Sequence, residues 1–171
     1  MRRVIILEGP DGSGKTTLAN WLHTEHSYEI VKTGPPPPTG NVTVVYLAAL
    51  RNAVERPGRT VFDRLHIGEA IYGPILRGED RMGLEGMAAI QRVIAKHGVK
   101  LVICSPPWET LVAGWRSKDD LLKDEDTLRA VHKCYLEEAD QLGITPYDWT
   151  APNAEKRLKE MIDEDLYRCT L

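Results

Sequence analysis

The sequence has no long apolar run. Behind Met1-Arg2-Arg3 only Val4 to Leu7 precede the charged Glu8, whereas a signal peptide needs an apolar stretch of roughly 7–15 residues and a spanning helix about 20. A cytoplasmic protein with no membrane association is therefore expected. Cysteine is sparse: Cys104, Cys134 and Cys169 lie far apart with no C-x-x-C pair, which argues against a disulfide framework and suits a reducing compartment. His23 and His26 stand three apart, but no cysteine or acid cluster joins them to complete a zinc site. Charge of one sign is also lacking. A net charge of −3 leaves no basic footprint for nucleic acid beyond a small local groove. Phenylalanine occurs once, at Phe62. Internal repeats and an interdomain linker are missing too.

What remains is ordinary for one globular domain spanning residues 1–171, with 42% apolar and 27% charged residues. A chain of this length buries roughly 70% of its unfolded surface, enough for a core without staples. Short β-rich runs alternate with longer helical segments, the pattern of a parallel sheet wrapped by helices. Five strands are expected: Val4–Leu7, Tyr28–Lys32, Arg59–Asp63, Lys100–Cys104 and Ile144–Trp149. Helices are expected over Lys15–His26, Val42–Glu55, Glu69–Leu76, Leu84–His97, Trp108–Trp115, Asp126–Leu142 and Pro152–Tyr167. The Pro35–Pro38 run is neither helix nor central strand and reads as a stiff connector or, less simply, a proline-motif ligand. All four tryptophans read as core residues, Trp108 and Trp115 sharing one helix face.

The chemistry is concentrated in Gly9-Pro10-Asp11-Gly12-Ser13-Gly14-Lys15-Thr16, which fits G-x-x-x-x-G-K-[ST] at every fixed position. The motif follows a strand and opens a helix, the context that gives it meaning. Glycines 9, 12 and 14 permit positive φ and let phosphate oxygens approach the main chain. Their N–H groups form a nest, joined by the unpaired donors of the following helix. Lys15 should reach the β- and γ-phosphates of ATP, and the Thr16 hydroxyl should ligate Mg²⁺. A purely structural turn would need neither Lys15 nor Thr16. The implied architecture is a P-loop kinase three-layer α/β sandwich with a five-stranded parallel sheet.

The run Leu7-Glu8-Gly9-Pro10-Asp11-Gly12-Ser13-Gly14-Lys15-Thr16-Thr17 resembles the thymidylate kinases, P-loop nucleoside monophosphate kinases of nucleotide biosynthesis. Asp63-Arg64 at the end of the third strand, Tyr72 nine residues after the acid, and Arg77-Gly78 match the same family. The stretch from Asp63 to Pro74 looks most like small phage-encoded members. The resemblance implies that Gly9 to Thr17 hold ATP and that Asp63 orients the metal shell. It also implies that Arg64 holds the acceptor phosphate, and that Asp11 bonds the acceptor sugar or helps order Mg²⁺. A mobile lid near residues 116–124 would supply the transition-state cation, Arg116 first and Lys118 as its alternative. Members of that family often pair through helices, and the residues themselves leave a homodimer open. Phosphoryl transfer independently requires cations on both anionic reactants held in line.

The sequence departs from that family on the base-recognition side. Its Ala-Tyr-Gln becomes Ile71-Tyr72-Gly73, so a glutamine near the acceptor base is gone. Leu47 and Arg51 have the spacing of the base-stacking and base-reading positions, and Tyr46 offers an aromatic face. Arg51 either reads a base carbonyl or is a surface arginine. His66 and Glu69 either line the acceptor site or form a solvated helix start. Asp63-Arg64 has a plainer reading as an ion pair capping a strand, and Tyr72 as core. The expected activity is ATP-dependent phosphorylation of a deoxynucleoside monophosphate, dTMP first. A different acceptor (nucleoside, other nucleotide, or a modified base or end in DNA) is the close alternative. A nucleotide-binding switch or assembly module is the alternative of another class.

Overall fold

In the computed structural model of the chain, residues 3–33, 40–118 and 122–163 are described. The Pro35–Pro38 run, Asp119 and Asp120 of the lid segment, and Cys169 lie outside them. The elements run β1 (Arg3–Glu8), α1 (Lys15–His26), β2 (Glu29–Lys32), α2 (Val42–Glu55), β3 (Arg59–Asp63) and α3 (Ile67–Arg77). They continue with α4 (Gly83–His97), β4 (Lys100–Ile103), α5 (Trp108–Arg116), α6 (Glu125–Gln141) and α7 (Ala154–Asp163). Among the described residues no helix is long and apolar enough to cross a membrane.

The strands form one four-stranded sheet in the order β2-β3-β1-β4, every pairing parallel. β1 is central and buried on both faces, which is why it reads as a continuous apolar run. Its side chains alternate. Val4 and Ile6 pack with Phe62 against α2 and α4, while Ile5 and Leu7 pack with Val61 and Val102 against α1 and Leu158 of α7. A third cluster joins Ile71 of α3, Val112 of α5 and Tyr135 of α6 around Ile103. Helices thus cover both faces of a parallel sheet.

The fifth strand expected over Ile144–Trp149 does not form; the sheet has four strands. Only Tyr147 bridges to Cys104 in parallel, with its N–H on Ile103 O at 2.7 Å and its carbonyl accepting from Ser105 N–H at 2.9 Å. Pro146 immediately before it has no N–H for a ladder, and the chain turns at once through Asp148, whose carboxylate takes the Thr150 N–H. The expected helices occur, with ends displaced by one or two residues in most of them. α3 starts earlier, at Ile67, because Glu8 caps it; α7 is described over Ala154–Asp163 only.

Candidate active site

The loop between β1 and α1 turns through positive φ at Gly9 (142°), Gly12 (79°) and Gly14 (87°). Gly12 shows why no side chain is tolerated: a Cβ there would collide with backbone atoms of Leu111, Gly114 and Trp115 in α5. The loop is thereby clamped against α5. Lys15, the first residue of α1, is 5% exposed, and its ammonium donates to Pro10 O at 2.6 Å and Ser13 Oγ at 3.1 Å. Burial lowers its pKa to about 7.

β3 lies beside β1, with Leu7 in register with Asp63, so the end of β3 arrives next to the loop. Thr16 Oγ1 donates to Asp63 Oδ2 at 2.8 Å. Arg64 adopts a left-handed backbone, φ 71°, uncommon for a residue with a side chain. Two backbone bonds hold it there: its N–H reaches Leu7 O at 2.9 Å and its carbonyl accepts from Thr33 Oγ1 at 3.2 Å. The guanidinium then turns into the site. It donates to Gly9 O at 2.7 Å, pairs with Asp11, and lies 5.1 Å over the Tyr72 ring. The Tyr72 hydroxyl in turn accepts the Asp11 N–H at 3.0 Å. One oxygen of Asp11, Oδ2, is buried with no partner.

Glu8 makes this turn, and its part was not read from the sequence. The wholly buried carboxylate accepts backbone N–H from Leu65 at 2.9 Å, Ile67 at 3.1 Å and Gly68 at 3.1 Å. The Tyr135 hydroxyl donates to it as well, at 3.2 Å. It thus caps the N-terminus of α3, where the helix dipole and free N–H groups favour an anion. Burial raises its pKa against the opposing pull of the Leu65 N–H and Arg64. An acid at the end of an apolar central strand was the available signal.

A cavity of about 300 Å³ opens at this point. Loop residues 11–16 line one end, Asp63 and Arg64 adjoin them, and Tyr46, Glu69, Tyr72 and Arg77 line the rest. Lys118, just beyond α5, faces the same space. Arg116 lies elsewhere: it is 66% exposed and its Nη2 pairs with Glu125 at 2.9 Å. Arg51 is exposed on α2 and does not line the cavity. Neither His66 nor Glu69 belongs to a solvated helix start, since they are 0% and 4% exposed. Glu69 lines the cavity and pairs with Arg77. His66 does not; its Nε2 is 3.1 Å from Gln91 Nε2, its Nδ1 has no partner, and burial lowers its pKa to about 4.

A second cavity of about 290 Å³ shares Gly14 with the first and is lined by Thr17, Leu18, Trp21, Trp149 and Leu158. Trp149 is 46% exposed rather than core; its indole stands against Gly14 and donates to Ser13 O at 3.1 Å. Trp108 meets two residues of α6: His132 stacks on it at 5.6 Å, and Arg129 lies 4.2 Å over its ring.

The oxygen donors suit Mg²⁺. A hydroxyl and a carboxylate already sit within 2.8 Å of each other at the mouth of the loop. Among the described residues no cluster of three or more His, Cys, Asp or Glu could hold an ion by itself. That combination fits a cation that takes one or two protein oxygens and completes its shell with phosphates and water.

No family model matches the chain, and no curated protein matches it by sequence. Solved structures match over nearly all of it. The YorR protein of Bacillus subtilis, in complex with phosphorylated GDP, superposes with a TM-score of 0.72 at 18% identity, covering 98% of each chain. A gluconokinase from Sinorhizobium meliloti 1021 gives 0.59 at 11% identity, covering 99% of this chain and 98% of its own. Deoxyadenosine kinase from M. mycoides with bound dCTP gives 0.55 at 14%, covering 97% and 98%. The chain therefore has the fold shared by P-loop kinases.

Proposed function

We propose that this protein transfers the γ-phosphoryl group of ATP to the phosphate of a deoxynucleoside monophosphate, with dTMP as first choice. The observation that carries the reading is the dipeptide Asp63-Arg64. Its acid accepts a hydrogen bond from the Thr16 hydroxyl, and its base reaches across the loop to Gly9 O and Asp11. A strand cap would need neither contact. The same two residues thereby link the donor phosphates to the acceptor side of the cavity.

In this reading the loop amides and Lys15 hold the β- and γ-phosphates, while Thr16, oriented by Asp63, holds Mg²⁺. The bound ion would neutralise phosphate charge as the transferring group loosens. An oxygen of the acceptor phosphate, held by Arg64, attacks the γ-phosphorus in line. The bond to the β–γ bridging oxygen breaks and ADP leaves. Lys118 and Arg116 are the lid cations, and Lys118 is favoured because it faces the cavity. The second cavity suits the donor base, with Thr17 in its lining and the Trp149 indole offering a stacking face.

The test is incubation with Mg²⁺, γ-labelled ATP and a panel of nucleoside monophosphates, nucleosides and DNA. The reading expects label in a nucleoside diphosphate. Label in a nucleoside monophosphate or in DNA would move the activity to another acceptor. Tight Mg·ATP binding with no transfer would favour a nucleotide-binding switch.

A further inference from the structure

Trp149 stands outside the core, yet its place is fixed from both sides. Before it, the N–H and carbonyl of Tyr147 are bonded to Ile103 and Ser105 at the end of β4. After it, the Asp148 carboxylate accepts the Thr150 N–H at 2.8 Å and the Thr150 hydroxyl at 2.7 Å. The indole is thereby carried onto the phosphate loop, where its Nε1–H donates to Ser13 O at 3.1 Å. The ring also covers Gly14: a Cβ there would lie 2.6 Å from Nε1 and 3.1 Å from Cδ1. Gly14 borders two spaces. It lines the main cavity with the rest of the loop, and it lines the second cavity together with Trp149. Among the described residues every peptide bond is trans, the one from Ser13 to Gly14 included. In a planar trans peptide the C=O and the following N–H point in opposite directions. With the Ser13 carbonyl turned out to the indole, the Gly14 N–H is turned away from it, toward the inside of the loop.

Resting on the phosphate-donor reading above, we infer that Trp149 is a positioning residue for phosphate binding: its indole N–H locks the Ser13–Gly14 peptide so that the Gly14 N–H faces the donor phosphates. Glycine populates positive and negative φ about equally well, so Gly14 by itself does not choose between the two orientations of that peptide. A bond from outside the loop does. Were the peptide to turn over, a carbonyl oxygen would replace an N–H in the nest and meet phosphate oxygen, exchanging attraction for repulsion. The bond is not forced by burial. Trp149 is 46% exposed, and water could serve an indole N–H that buried tryptophan must pair within the protein. The same ring lines the second cavity, so the base-bearing part of a donor and the grip on its phosphates meet on one side chain.

The test sets inorganic tripolyphosphate, which has the phosphates of a donor and no base, beside ATP, each with Mg²⁺. Calorimetry on the full chain at about pH 8 gives both Kd values. Trp149→Phe keeps an aromatic face and loses the N–H. Its Kd for tripolyphosphate should rise roughly three- to tenfold, the worth of one hydrogen bond, and its Kd for ATP by at least as much. Trp149→His returns a ring N–H and should recover part of the loss, a rescue that a packing role would not give. In turnover the loss should fall on the KM for ATP and leave the acceptor KM unchanged. An unchanged tripolyphosphate Kd in Trp149→Phe overturns the inference; if ATP alone binds more weakly, Trp149 serves only the base. Trp149→His binding tripolyphosphate no better than Trp149→Phe overturns it as well. Wild-type protein that binds neither tripolyphosphate nor ATP overturns the donor reading beneath it.

Discussion

Thr16 and Asp63 are 47 residues apart in sequence, yet the hydroxyl of one donates to the carboxylate of the other at 2.8 Å. The parallel pairing of β1 and β3 produces this contact, because Leu7 and Asp63 share a register position just before the loop. On the proposed function, this contact would orient the hydroxyl for the metal. Asp63→Asn keeps the shape and loses the charge. It should raise the Mg²⁺ concentration for half-maximal activity by roughly tenfold or more, as loss of an outer-shell partner does elsewhere. A magnesium titration of initial rates checks this, and an unchanged midpoint would remove Asp63 from the metal shell.

Lys15 titrates near neutrality in the free protein, since burial brings its pKa from 10.5 to about 7. Between those values the unfolded chain holds a proton that the folded chain has released. Unfolding free energy therefore rises with pH across that window. Bound polyphosphate favours the charged amine and reverses the shift. ATP binding at about pH 8 should accordingly take up close to one proton. Calorimetry in two buffers of different ionisation enthalpy measures it, and Lys15→Met should abolish the difference.

Glu8→Ala leaves the N–H groups of Leu65, Ile67 and Gly68 without their shared acceptor. A cost of about 3 kcal/mol is expected, which for a chain of this size lowers Tm by roughly 6–12 °C. Because the same turn fixes Arg64, the KM for the acceptor should rise more than the KM for ATP. Thermal unfolding together with two-substrate kinetics separates these effects.

Arg64 makes contacts in three directions: Gly9 O, Asp11 and the Tyr72 face. Lysine cannot reproduce the fork or the stacked plane. Arg64→Lys should therefore lose most of what Arg64→Ala loses in acceptor use, with ATP affinity little changed. Among the lid cations, Lys118→Ala should lower kcat by on the order of 10²-fold, and Arg116→Ala by less, because Arg116 is engaged by Glu125.

Local features were legible in the sequence and long-range ones were not. The phosphate loop could be read because its strand, glycines, lysine and hydroxyl lie within a few consecutive residues. β1 could be read because burial on both faces leaves an uninterrupted apolar run. The clamp at Glu8 could not, since its partners lie 57 to 127 positions away. Nor could the Arg77–Glu69 pair, which depends on the absence of a side chain at Gly73 between them. The segment before Trp149 has strand composition, but Pro146 limits it to a single bridge. That leaves Trp149 beside the phosphate loop instead of in the core.

The central claim is phosphoryl transfer from the loop to a second phosphate. Phosphorus-31 NMR of the protein with Mg²⁺, ATP and dTMP tests it most directly. The account predicts that the γ-phosphate resonance of ATP declines while ADP and a second, thymidine-derived diphosphate grow in equal amounts, and that Lys15→Ala stops both. ADP growing with inorganic phosphate alone, or ATP unchanged across the whole acceptor panel, would contradict it.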